Sequence, residues 1–184
     1  INTSGKLRYN YTFPLVFSKQ FIMSTLRTIL SFPNPVNDYA ARTVASMVII
    51  LCVAILITNI EWIIWFLLYG FIARVATGPT LSPIGLLATK VIVPLLKLPN
   101  KPMPGPPKRF AQGIGLFVTA VSLILFIADF VFWGRVGIFV LAFFAGLEAF
   151  LGFCTGCFIF NYLMKLGLIP KNVCEACENY SAKI

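Results

Sequence analysis

Two long apolar tracts, each flanked by basic residues and broken once by a polar step, organise the 184-residue chain. The first runs from Ala40 to Val75 with Arg42, Glu61 and Arg74 as its charges, and is interrupted at Thr58 to Glu61 (TNIE). As one helix, Val44 to Arg74 would reach about 46 Å, against a hydrocarbon core of about 30 Å. Two helices of about 17 residues each would sit at the short end of the spanning range. The second tract predicts a third span over Phe110 to Phe132, a turn at Trp133 to Arg135 (WGR), and a fourth span from Val136 to about Leu163.

Length leaves the first tract open between one helix and a hairpin, and charge placement decides. Lys6, Arg8, Lys19, Arg27 and Arg42 precede it, and Arg74, Lys90, Lys97, Lys101, Lys108 and Arg109 follow it. A single crossing would put one of these clusters outside, whereas a hairpin keeps both inside. Helix one is therefore expected near Ala41 to Thr58 and helix two near Ile60 to Ala76, with Trp62 anchoring the opposite interface. Adding Lys165, Lys171 and Lys183 places fourteen of the fifteen basic residues on one side, with Arg135 on the other.

The expected fold is thus an all-α integral membrane protein: four transmembrane helices in two hairpins, with an interfacial or re-entrant helix between them. Both termini face the cytoplasm, stroma or matrix, in a bacterial inner membrane or an organelle inner or thylakoid membrane. Five regions follow: a basic arm over 1–38, a first hairpin over 39–76, an amphipathic and Pro-rich segment over 77–109, a second hairpin over 110–164 and a tail over 165–184. Composition agrees, with 59% hydrophobic and 11% charged residues against about 25% charged in ordinary soluble domains. The net charge of +9 reads as that sidedness plus attraction to anionic headgroups, and no nucleic-acid partner is expected.

Within the central segment, Ser82 is a candidate N-cap, Pro83 suits the first helical position, and Ile84, Leu87 and Val91 share a face. Pro94 is expected to stop or kink this helix, and the prolines from Pro99 onward favour an extended linker. In the arm, no uninterrupted apolar core precedes a small-residue cleavage site, so no secretory signal is expected, and Ile1 suggests a processed or trimmed start.

Along helix four, Ala142, Ala145, Ala149, Gly152 and Gly156 advance by three or four residues and fall within about 80° of one another, a close-packing stripe ending in G-x-x-x-G. Its partner is a helix of this chain or of another subunit. Glu148 in the same helix is expected near mid-membrane, where a carboxyl must be neutral, paired or in a wet cavity. It is either a proton- or ligand-handling group or a hydrogen-bonding partner of Thr43, Ser46, Gln112, Thr119 or Ser122. The chain has no His, which removes most acid/base, nucleophilic and His-ligated metal chemistry.

Four of the five cysteines form two C-x-x-C pairs, Cys154/Cys157 in GFCTGC and Cys174/Cys177 in NVCEAC. Residues three apart on a helix are neighbours, so Cys154 and Cys157 suit a disulfide or a soft-metal site. Four thiolates with this spacing suit zinc or an iron–sulfur cluster in principle. Burial and the adjacent Glu175 and Glu178 disfavour it. A thiol exchange or sulfur-handling pair and inert structural cysteines remain open.

The segments FPNPV (Phe32 to Val36), GPTLSPIGLLATK (Gly78 to Lys90), PGPPKRFAQGIG (Pro104 to Gly115) and GFCTGC (Gly152 to Cys157) resemble a bacterial-type family of small polytopic membrane proteins of unknown function. The resemblance covers approximately Phe32 to Pro170 and implies no particular activity. It singles out Cys154 and Cys157 as the shared pair and leaves Cys174 and Cys177 beyond the matched core.

With no nucleophile beside a general base, no nucleotide motif and no dense intramembrane carboxylate network, the leading expectation is a non-catalytic membrane subunit. It would pack on other transmembrane subunits and stabilise a larger complex, bioenergetic complexes among them. Grooves between its Phe-rich helices suit lipid, pigment or quinone. The alternative is a thiol–disulfide or sulfur relay in which Cys154 and Cys157 cycle and Cys174 and Cys177 pass equivalents to a soluble thiol partner. A transporter centred on Glu148 is a third reading, weakened by four spans and no internal repeat.

Overall fold

The computed structural model describes residues 32–58 and 61–170. The chain is mostly helical. Helices α1 (Asp38–Thr58), α2 (Glu61–Thr77), α3 (Pro83–Leu95), α4 (Gly105–Ile127), α5 (Val131–Leu151) and α6 (Thr155–Lys165) follow in order. Two two-residue strands, β1 (Val36–Asn37) and β2 (Pro102–Met103), pair antiparallel ahead of α1 and α4. By length and apolarity α1, α4 and α5 qualify to cross a membrane, and the shorter α2 and α3 are apolar as well.

The long helices are apolar on both faces, and α4 also sorts its residues by size. In α1 the buried stripe is Val44, Val48, Cys52 and Ile55, at helical spacing, while Ile50, Val53 and Ile57 face outward. In α4 the inward positions are Gly115, Thr119, Ser122 and Leu123, with Phe117, Ile124 and Ile127 outside. Small inward residues with bulky apolar residues outside are what helices in lipid require, because backbones must approach closely and the outer face has no water to avoid. Gly115 illustrates this, since a Cβ there would overlap the Phe71 ring. Helix α1 packs against α2, α3 and α5, and α4 packs against α2, α5 and α6.

Three expected boundaries move. The third helix is Gly105–Ile127, starting five residues before Phe110, because Pro106 and Pro107 occupy a first turn whose N–H groups have no helical partner anyway. The Pro-rich segment is therefore extended only up to β2. The turn after α4 is at Ala128 to Phe130, where Asp129 adopts φ 61°, and Trp133 to Arg135 lie inside α5. Arg135 Nη2 donates to Leu56 O at 2.6 Å and so satisfies a carbonyl left open at the end of α1.

The expected fourth helix is also broken. Its last turn widens to a π-helical one over Leu147–Leu151, Gly152 takes a left-handed φ of 68°, and α6 begins afresh at Thr155. Gly152 N and Phe153 N close the end by donating to Glu148 O and Leu147 O, at 3.1 Å each. In α3, Ser82 is the N-cap, its Oγ accepting from Gly85 N at 3.2 Å. A π-helical stretch over Leu87–Ile92 precedes Pro94, and the helix ends one residue beyond that proline. Gly167 ends α6 with φ 75°.

Candidate functional site

Charged side chains from four helices meet where α1 and α4 begin and α2 and α5 end. Asp38, 2% exposed, lies 3.2 Å from Arg42 Nε, 3.5 Å from Lys108 Nζ and 3.7 Å from Lys101 Nζ. Lys108, 3% exposed, also donates to Glu148 Oε1 at 2.6 Å. A buried ammonium held between two carboxylates is compensated, and each carboxylate has a cation in return.

Around this cluster Arg74, 4% exposed, donates from Nε to Gln112 Oε1 at 2.9 Å and from Nη1 to Ser82 Oγ at 3.3 Å. Its guanidinium also stacks 4.4 Å from the Phe71 ring centroid. Arg109 Nε closes the end of α2 by donating to Val75 O at 2.9 Å. Asn34 Oδ1 accepts from Gly105 N at 3.1 Å, tying the turn before β1 to the start of α4.

The break at Gly152 puts the cysteine pair at a helix start rather than within a helix. Cys154 is the N-cap of α6, with φ −89° and ψ 98°, and its Sγ accepts a hydrogen bond from Cys157 N at 3.3 Å. Cys154 and Cys157 form a disulfide across this first turn, with Cα atoms 5.2 Å apart. Unpaired N–H groups and the helix dipole favour negative charge at this end, which stabilises a thiolate on opening of the bond. Gly156 lets α6 dock, since a Cβ there would lie 2.5 Å from Ala111 Cα. Phe160 packs on Phe110 with ring centroids 5.6 Å apart.

A cavity of about 130 Å³ lies beside the cap. Its walls are apolar apart from Cys154, Gln112, Glu148 and Thr155. Thr155 Oγ1 is buried without a hydrogen-bond partner. Val140 and Phe144 of α5 and Ile159 of α6 line the cavity and are themselves exposed, so its mouth lies on the outer apolar face between these helices.

The residues singled out by the sequence are redistributed accordingly. Ala142 and Ala145 pack on the core from α5, Ala149 lies in the π-helical turn, Gly152 carries the left-handed break and Gly156 belongs to α6. The five therefore do not form one face of one helix. Gly152 instead touches the Arg42 guanidinium, leaving no room for a Cβ.

Glu148 lies near the end of α5, and its partner is Lys108. Thr43, Ser46 and Thr119 bond carbonyls of their own helices, and Gln112 bonds Arg74. Among the described residues no three His, Cys, Asp or Glu side chains gather as a metal site, and Cys52 is a buried free thiol. Cys174 and Cys177 lie outside the described residues.

Sequence reasoning missed Asp38, Arg42, Arg74 and Lys108 as site residues. A signal existed: Asp38 and Lys108 carry opposite charges next to two different apolar tracts on the same expected side, so helix packing brings them to one depth. The chain belongs to the family of the domain of unknown function DUF4395, which matches residues 36–165. That range includes the charge cluster and Cys154/Cys157 and stops before the tail pair. No curated protein and no solved structure matches the chain.

Proposed function

We propose that this DUF4395 member is a multi-pass membrane protein that performs thiol–disulfide exchange at Cys154 and Cys157. The observation that carries the reading is the bond across the first turn of α6, with Cys154 Sγ at the cap accepting from Cys157 N. A soluble dithiol donor is the second reactant. Its thiolate attacks Sγ of Cys157, the less buried of the pair, and the sulfur–sulfur bond breaks. Cys154 leaves as a thiolate at the helix N-terminus, where a stabilised leaving group speeds exchange. The donor's second thiolate then displaces Cys157. The donor ends as a disulfide, the protein holds a dithiol, and two electrons and two protons have moved.

In this reading α1, α2, α4 and α5 all cross as two hairpins, and the end carrying Asp38, Arg74 and Lys108 faces the cytoplasm, stroma or matrix. The basic bias supports that side. Soluble dithiol carriers are abundant there. Titrating native membranes with redox buffers and counting free thiols tests this. Cys154 and Cys157 should change state together, and Cys154→Ser or Cys157→Ser should abolish exchange. Thiols that never change state, or variants that leave function intact, sink the reading.

The bulky outer faces, with Trp62, Trp65, Phe117 and Phe139 exposed, favour a second reading as a packing subunit of a larger membrane complex. Recovery in fixed ratio with other membrane chains, together with function that survives loss of both cysteines, would select it.

A further inference from the structure

We infer that the cavity beside Cys154 binds the ring of a lipid-soluble quinone, which takes the two electrons from the dithiol; this rests on the exchange reading above. Three observations converge on that class. First, the mouth is framed by Val140, Phe144 and Ile159, apolar side chains exposed on the outer face of α5 and α6. A ligand entering at such an apolar mouth, beside the long apolar helix α5, comes from the bilayer rather than from water. Second, the space of about 130 Å³ is close to the ~150 Å³ at which an apolar cavity accepts a benzene-sized ring. It suits a head group whose isoprenoid tail stays in the mouth.

Third, the polar groups on the wall are few: beside Cys154 and Glu148, whose carboxylate is held by Lys108, two donors remain. Thr155 Oγ1 is buried without a partner and can donate to a carbonyl oxygen. Gln112 has its amide oxygen engaged by Arg74, which leaves its amide nitrogen as a donor. An acyl chain would satisfy neither donor and accepts no electrons, whereas a quinone does both. Cys154 lines the same space, so the electron source is on the wall.

In the reduced protein the Cys154 thiolate adds to a ring carbon of the quinone. Cys157 then attacks Cys154 Sγ, re-forming the disulfide and releasing the ring as quinol. The two thiol protons end on the two quinol oxygens, and one disulfide forms for each quinone reduced. Coupled to exchange with the soluble donor, the cycle moves reducing equivalents from water-soluble dithiols into the membrane quinone pool.

The test uses the full chain in quinone-free lipid nanodiscs. The protein is reduced with dithiothreitol, freed of excess reductant and mixed with decylubiquinone. One quinol should appear for each pair of thiols lost, and the oxidised protein should bind decylubiquinone saturably. Ala145→Phe fills the cavity and Val140→Trp blocks its mouth. Either should weaken quinone binding by about tenfold or more. Val140→Trp, at an exposed position, keeps the test decisive where Ala145→Phe fails to fold.

Wild-type protein that exchanges thiols but neither binds nor reduces decylubiquinone overturns the inference and leaves the exchange reading standing. Quinone reduction unchanged in both variants overturns the cavity as the site. A disulfide that no dithiol opens overturns the exchange reading and this inference with it.

Discussion

Lys108 Nζ lies 2.6 Å from Glu148 Oε1 and 3.5 Å from Asp38 Oδ1, so one buried ammonium group joins the start of α4 to the end of α5 and the start of α1. The residues are 40 and 70 positions from Lys108 in the chain. This pairing fixes the charged ends of three helices at one depth. It also holds the turn that delivers Cys154 to the cap of α6.

Replacing Lys108 with Met should destabilise the protein by about 3–5 kcal/mol, because two carboxylates lose their shared cation while remaining buried. The double variant Lys108→Met with Glu148→Gln should recover part of that loss. Thermal unfolding in a mild detergent, compared across the cycle, checks both statements. Equal stability of Lys108→Met and the wild type would mean that the cluster is hydrated and carries little energy.

Gly152→Ala should cost about 1–2 kcal/mol for placing a side chain in the left-handed region, plus the displacement of Arg42 from its contact. Gly146→Ala is the matched control. A Cβ at Gly146 meets nothing within 4 Å and the residue is helical, so the change should be neutral or stabilise by about 0.5–1 kcal/mol. The denaturation midpoint should therefore fall for Gly152→Ala and hold or rise for Gly146→Ala.

Gly156→Val should push α6 away from α4, since a Cβ at that position would sit against Ala111. Cys154, now 8% exposed, would become accessible. Maleimide labelling of the reduced protein should accelerate at Cys154 and stay slow at the buried Cys52. Unchanged labelling would show that α6 holds its seat without the close Gly156 contact.

Arg74→Lys should destabilise by about 1–3 kcal/mol despite keeping the charge. A single ammonium cannot reach Gln112 and Ser82 in the fork geometry and stack on Phe71 as the guanidinium does. Gln112→Ala removes one of these partners and should cost less than Arg74→Lys. The order of the two melting temperatures is the measurement.

Much of the helix layout was legible from the chain. Apolar runs located α1, α2 and α4, although α4 begins at Gly105 and not at the expected Phe110, and the N-cap at Ser82 followed from its place before Pro83. The break in the last tract was not legible by the same means. Hydropathy does not fall at Gly152, and small residues at three- and four-residue intervals also describe a continuous packing face. A glycine ending a run of Leu, Phe and Ala is equally a helix-stop signal, and the left-handed φ together with the Arg42 contact leaves room for no other residue there.

The sequence by itself determined which segments are long and apolar enough to cross a membrane and where charged residues bound them. Both follow from local composition, because transfer free energies depend on side chains one at a time. The tertiary structure decided the partners. Lys108 meets Glu148, Arg74 meets Gln112, and Cys154 becomes a helix cap facing a cavity only because α4, α5 and α6 pack at particular depths and angles. Those are set by close contacts such as Gly156 on Ala111 and Gly115 on Phe71, between residues far apart along the chain.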